Sequence, residues 1–163
     1  MRKYTLLLLL TLFSFVATAQ YNFGIGVRTG GTTGIALKNN FENFAVEAII
    51  GFWNDGISVT GLMEKTAPAF NAERINWYYG WGGHISVYGD EFNSKKGPAW
   101  FNHPNSNDEG DLGFGLDGVA GIELALQNVP FAFNVEIKPY TEVITNGGFL
   151  FWIDPGIGLK IIF

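Results

Sequence analysis

Between residues 111 and 126 the chain alternates between apolar and polar or small residues. Leu112, Phe114, Leu116, Ile122, Leu124 and Leu126 occupy even positions, while Asp111, Gly113, Gly115, Asp117, Gly121 and Glu123 occupy odd ones. Successive side chains of an extended strand point to opposite faces, so this pattern gives one strand an apolar face and a polar one. The period recurs along the chain. Phe23, Ile25 and Val27 oppose Gly24, Gly26 and Arg28; Ile35 and Leu37 oppose Gly34, Ala36 and Lys38. Phe44, Val46, Ala48, Ile50 and Phe52 oppose Glu47 and Gly51; Ile57, Val59 and Met63 oppose Ser58, Thr60 and Glu64. In 75–88, Ile75, Trp77, Tyr79, Trp81, Ile85 and Val87 oppose Asn76, Gly80, Gly82, His84 and Ser86. Phe131, Phe133, Val135 and Ile137 oppose Asn134, Glu136, Lys138 and Tyr140, and a last run occupies about 148–163. Eight such runs separated by turn residues predict an all-β chain.

Helix is disfavoured independently. All 22 glycines lie at Gly24 or later, and each interior glycine costs a helix about 1 kcal/mol. An even number of strands lets an up-and-down barrel close with both ends on one side and no free edge. The connections are tight at Asn39-Asn40 and at Gln127-Asn128-Val129-Pro130, and long and polar over 89–110. That alternation matches membrane barrels, with short periplasmic turns and longer outer loops. The link over 65–74 is longer than this habit prefers. The expected fold is an eight-stranded antiparallel up-and-down transmembrane β-barrel with the 89–110 loop outside.

Alternation alone does not say which face points inward. A soluble barrel would clothe its outer face in charge, yet only 15% of residues are charged, against roughly 25% in an average soluble domain. The polar face is largely glycine and small residues, which suit the crowded bore of eight strands. Placed inward, Arg28, Lys38, Lys138 and Lys160 meet Glu47, Glu64, Asp117, Glu123, Glu136 and Asp154 in a nearly balanced lumen charge network. Buried charges are tolerated when paired, whereas Lys or Arg facing midplane lipid costs ~2–4 kcal/mol. Aromatics at Trp53, Trp77, Tyr79, Tyr140, Phe149, Phe151 and Phe163 fall near strand ends, where interfacial belts sit. The competing reading is a soluble sandwich or lipocalin-like barrel with the apolar face inside.

The two ends agree with a membrane destination. Arg2 and Lys3 precede an apolar stretch, Leu6 to Val16, and then Ala17-Thr18-Ala19, the order of a secretory signal peptide. Residues 1–19 are expected to be cleaved, leaving 20–163 as a single barrel domain. With no cysteine in the chain, neither a lipoprotein anchor nor a disulfide is expected. The formal charge of −5 argues against a nucleic-acid partner, which needs clustered Lys and Arg.

The signal peptide, the eight runs, "INWYYGWGGHISVYG", "FNVEIKPYTEV" and the terminal "GIGLKIIF" resemble the small outer-membrane β-barrel domain proteins of Gram-negative bacteria, over the whole mature chain. Ile157, Leu159, Ile161 and Phe163 are similar to the C-terminal signal read by the barrel-assembly machinery. The resemblance implies an outer-membrane location, that machinery as a partner, and contact with outer-membrane lipid and lipopolysaccharide. It implies no single activity, since such barrels serve as anchors, adhesins, narrow pores and occasionally enzymes.

Catalytic material is sparse. His84 and Ser86 share the inward face of one strand, and a lipid-modifying enzyme would need a histidine activating a nucleophile or paired with an acid. The plainer reading of His84 is a lumen histidine hydrogen-bonded to an acid. His103 shares the long loop with Asp108, Glu109 and Asp111, but no metal-ligand spacing is recognisable, so neither metal nor cofactor is expected. Trp100 and Phe101 in that loop suit the outer leaflet, the barrel mouth or an extracellular partner that the sequence does not identify. "GIGVRTG", residues 24–30, resembles a dinucleotide fingerprint, but that motif must open a helix, and a strand follows. The sequence therefore favours a non-enzymatic structural or recognition barrel with a narrow, mostly filled lumen. The alternatives are a lipid-modifying enzyme using His84 and a narrow small-solute channel.

Overall fold

A computed structural model describes residues 22–53, 56–70, 72, 74–89, 111–145 and 148–163. The proposed signal peptide and Trp100, Phe101 and His103 lie outside the described residues. The chain forms eight strands: β1 (Phe23–Gly30), β2 (Thr33–Asn40), β3 (Ala45–Trp53), β4 (Gly56–Pro68), β5 (Ile75–Tyr88), β6 (Leu112–Ala125), β7 (Phe131–Ile144) and β8 (Gly148–Ile162). Each pairs antiparallel with the next, and β8 pairs antiparallel with β1, so the sheet is a closed up-and-down barrel.

The stagger follows from the registers. Paired residues lead from Gly24 through Lys38, Glu47, Leu62, Gly82, Asp117, Tyr140 and Trp152. Extending the β8–β1 register from Trp152 reaches a position ten residues beyond Gly24. A shear of this size in eight strands tilts them by about 40°. Every residue on that circuit faces inward, because the registers keep inner positions beside inner positions.

Strand length is uneven. β1 and β2 have 8 residues each and β3 has 9, while β5 to β7 have 14 and β8 has 15. β1 pairs with β8 only from Gly156 to Ile162, whereas β7 pairs with β8 from Gly148 onward. The closed part of the barrel thus lies toward the chain termini, and β5 to β8 rise beyond it on the opposite side. At the terminal end, Asn22 N donates to the Phe163 carbonyl at 3.1 Å and Phe163 N to the Phe23 carbonyl at 2.8 Å. The last residue is therefore held in the sheet. β4 continues to Pro68, so its link to β5 shortens to residues 69–74 and the apparently over-long connection of the sequence reading disappears. The 127–130 turn places Asn128 at φ 62°, a left-handed conformation that asparagine tolerates better than most residues.

The apolar face points outward. Phe114 is 51% exposed, Phe133 40% and Leu159 45%, while Glu123 and Lys138 are 5% exposed. Outward positions from Phe23 on β1 to Ile161 on β8 are apolar or small in nearly every case, and among the described strand residues the one outward-facing charge is Lys65. Trp77, Tyr79, Phe149, Phe151 and Phe163 are on this outer face. Tyr140 departs from the expected aromatic belt: its even position on β7 turns it inward, edge-on to His84 at 5.3 Å between ring centres.

Inward glycines make room for the long side chains. A Cβ on Gly121 would stand 2.6 Å from the Tyr78 Cζ and 2.8 Å from the Val135 carbonyl, and a Cβ on Gly156 would meet the Arg28 guanidinium at 2.6 Å. On the outer face, a Cβ at Gly61 would meet nothing within 4 Å. Gly121→Val should accordingly lower unfolding stability by about 1–3 kcal/mol through overpacking. Gly61→Ala should leave it within about 0.5 kcal/mol, as read by denaturant titration of both variants.

Candidate functional site

The interior is a stack of ionic and apolar layers. Nearest the termini, Ala125, Ala132 and Ile162 form an apolar floor. Above it Lys38 (β2), Glu47 (β3), Glu64 (β4), Glu123 (β6) and Lys160 (β8) converge. Lys38 Nζ lies 2.8 Å from Glu64 Oε2, Lys160 Nζ 2.8 Å from Glu47 Oε1, and both ammoniums 3.7 Å from Glu123 Oε2. Lys38 Nζ also sits 4.2 Å above the centre of the Tyr78 ring, a cation–π contact strengthened by exclusion of water. Ala36, Ile49, Leu62 and Val119 pack with Tyr78 over one side of this layer.

Tyr78 links that layer to the next. Its hydroxyl donates to Glu136 Oε2, and Asn134 Nδ2 donates to both groups at 3.0 Å. Arg28 Nε donates to Glu136 Oε1 at 2.6 Å, while its Nη1 lies 3.1 Å from Asp154 Oδ2 and donates to the Thr32 carbonyl at 2.6 Å. The Thr32 amide in turn donates to Asp154 Oδ1 at 3.2 Å. The guanidinium thus ties β1 to β7 and β8 across the bore. Its planar fork suits two carboxylates at once.

The uppermost layer centres on His84 of β5. Its Nδ1 lies 2.6 Å from Asp117 Oδ2 and its Nε2 3.6 Å from Glu142 Oε2. Lys138 Nζ donates to Asp117 Oδ1 at 2.9 Å, and stands 5.1 Å from the Tyr140 ring centre. Ser86 Oγ donates to Glu142 Oε1 and the Tyr88 hydroxyl to Glu142 Oε2 at 2.7 Å. Ser86 therefore spends its proton on Glu142 rather than on His84, and both imidazole nitrogens face carboxylates. An activated nucleophile requires a serine–base bond; here the histidine is a bridge between two acids on β6 and β7.

The structure brings all ten proposed lumen charges to the interior, each at most 5% exposed. It also adds residues the sequence reading passed over. Among the described residues Tyr78 is the largest fully buried side chain; the apolar-looking run "INWYYGW" hides it, and its even position alone reveals it. Glu142 lies beyond the seventh alternating run, whose polar face ends at Tyr140 in the sequence pattern, while β7 continues to Ile144. With Glu142 the strands carry seven inward carboxylates (Glu47, Glu64, Asp117, Glu123, Glu136, Glu142, Asp154) against four Lys and Arg and one His. The interior is thus acid-rich rather than nearly balanced. Ile157, Leu159, Ile161 and Phe163 share the outer face of β8, with Phe163 6.3 Å from Phe23 between ring centres. Asp111 is buried beside Tyr88, whose amide donates to its carbonyl at 2.9 Å. Among the described residues no three His, Asp or Glu side chains are grouped to hold a metal ion.

Fold and site together define a closed eight-stranded antiparallel barrel with a largely apolar outer face and a buried ionic interior. Comparison with family models, curated proteins and solved structures finds no match.

Because the ion pairs are dry, breaking one should cost far more than breaking a surface pair. Arg28→Leu strands the Glu136 and Asp154 carboxylates and is expected to lower stability by about 3–5 kcal/mol. Adding Glu136→Leu to it should recover part of that loss, a non-additivity read from a double-mutant cycle.

Proposed function

We propose that this chain is exported and spans the outer membrane of a Gram-negative cell, as one of the small outer-membrane β-barrel domain proteins. Its role there is structural or in recognition, without enzymatic activity. The carrying observation is the outer face, where large apolar side chains stand exposed on all eight strands beside a single charge among the described strand residues, Lys65. Soluble monomers rarely expose a contiguous apolar patch beyond a few hundred Å², and water would oppose a continuous apolar girdle. Hydrocarbon would accept it, and the closed sheet leaves little unpaired backbone to desolvate. The 9–15 residues of β3 to β8 compare with the roughly 9–11 tilted residues needed to span the hydrocarbon.

The lumen supports a plug better than a pore. Lys38, Glu47, Glu64, Tyr78, Asn134 and Lys160 are each no more than 2% exposed, so water barely reaches that level. A lipid-modifying role for His84 is weakly supported, because Ser86 bonds to Glu142 and the histidine faces the bore rather than lipid. Contact with lipopolysaccharide and delivery by the barrel-assembly machinery, through Ile157, Leu159, Ile161 and Phe163, belong to the same proposal.

Cell fractionation should place the protein in outer membranes, extractable only with detergent; a soluble monomer in plain buffer would refute the location. In lipid vesicles, Ile137→Arg at the middle of β7 should cost about 2–4 kcal/mol. Replacing His84 by Ala should leave the acyl composition of outer-membrane lipid unchanged by mass spectrometry, and a changed profile would restore the enzyme reading.

A further inference from the structure

The layer nearest the termini contains two carboxyl groups with an unmet need. The register pairs Ala45 with Glu64 and Glu47 with Leu62, so Glu47 and Glu64 are diagonal neighbours on the inner face of β3 and β4, within reach of one another's side chains. Each gives one oxygen to a lysine: Glu47 Oε1 to Lys160 and Glu64 Oε2 to Lys38, both at 2.8 Å. The remaining oxygens, Glu47 Oε2 and Glu64 Oε1, are buried and receive no hydrogen bond. Diagonal neighbours on one face of paired strands stand about 7–8 Å apart, a gap that two glutamate side chains can close. Two ionised carboxylates so placed would confront acceptor with acceptor, and buried acceptors without donors are costly.

The charge inventory of the layer shows the same deficit. Around the pair stand Lys38 from β2, the Tyr78 ring from β5, Glu123 from β6 and Lys160 from β8, while β1 contributes glycines, with Gly26 against the Lys160 side chain. The Tyr78 hydroxyl is directed to Glu136, and Arg28 above is engaged by Glu136 and Asp154. Glu47, Glu64 and Glu123 thus share Lys38 and Lys160 in a compartment whose side chains are 0–6% exposed. An uncompensated charge in such surroundings is neutralised rather than tolerated.

We propose that the lumen contains a proton-binding site, in which one proton is held between the carboxyl groups of Glu47 and Glu64. That proton supplies the missing donor to the pair and leaves Lys38 and Lys160 balanced by Glu123 and a singly charged Glu47–Glu64 unit. No bond other than the O–H···O link forms or breaks.

The native state then carries one more proton than the unfolded chain wherever an exposed carboxylate is ionised. The contribution of this site makes the folding constant fall as pH rises above the ordinary carboxylate range, by at most about tenfold per pH unit, until the site empties. Infrared spectroscopy of the full chain in detergent micelles should show a protonated-carboxyl C=O stretch at neutral pH. Glu64→Gln, whose amide can donate to Glu47, should fold, lose that band and show a shallower alkaline fall in the folding constant than the wild type; Glu47→Gln should do the same. If one variant does not fold, the other is read, and the wild-type band decides the matter if neither does. A wild type without the band, or a band that persists in either folded glutamine variant, overturns the proposal. Neither result bears on the membrane location, which the fractionation tests separately.

Discussion

A β-sheet closed on itself has only two faces, and among the described strand residues one of them carries every charge but Lys65. Once the sheet closes with the apolar face outward, those charges must share a bore only wide enough for side chains. Everything else in the interior answers that confinement. Each cation lies close to at least one carboxylate, Tyr78 and Asn134 donate to Glu136, and backbone groups of Thr32 serve both Arg28 and Asp154. Buried ions lose several kcal/mol of hydration apiece, which only close pairing and hydrogen bonding offset. The ionic core is thus less a source of net stability than a condition for this arrangement of faces. It also specifies register, because slipping one strand by a single residue would carry its ions to the apolar exterior.

Glycine is the second half of that arrangement. Arg28 lies flat against the place where Gly156 would carry a Cβ, and Tyr78 against that of Gly121. The long polar side chains cross the bore because the wall opposite them is bare. High glycine content, which weakens an ordinary strand, here shapes the cavity that the ions fill. The layers also differ in kind. The one nearest the termini is a lysine–glutamate cluster closed below by Ala125, Ala132 and Ile162, while the uppermost is organised by a histidine that bridges acids on β6 and β7.

Much of the fold was legible because period two is a strong and repeated signal. All eight strands were anticipated, and the ten charged residues assigned to the interior lie there, since parity alone fixes which side of the sheet a residue occupies. The failures came where parity was not carried far enough or where residue type outweighed it. Glu142 lies two residues past the point at which the seventh strand was stopped. Tyr78, set among tryptophans and tyrosines, resembles its outward neighbours in chemistry but not in position. Tyr140 was assigned to an aromatic belt by its type although its even number turns it toward His84.

What the sequence determined by itself is the number of strands, their two unlike faces and the set of residues that must lie together, because these depend only on the local geometry of an extended chain. Which carboxylate meets which cation was decided by the tertiary structure alone. The ten-residue shear carries each strand past its neighbours, so Arg28 reaches Glu136 and Asp154, and Lys38 reaches Glu64, across stretches of chain that no local pattern encodes. The same stagger sets Glu47 beside Glu64 and places His84, rather than Ser86, between Asp117 and Glu142. Closure is a property of the whole sheet, and the pairing of its buried charges follows from closure.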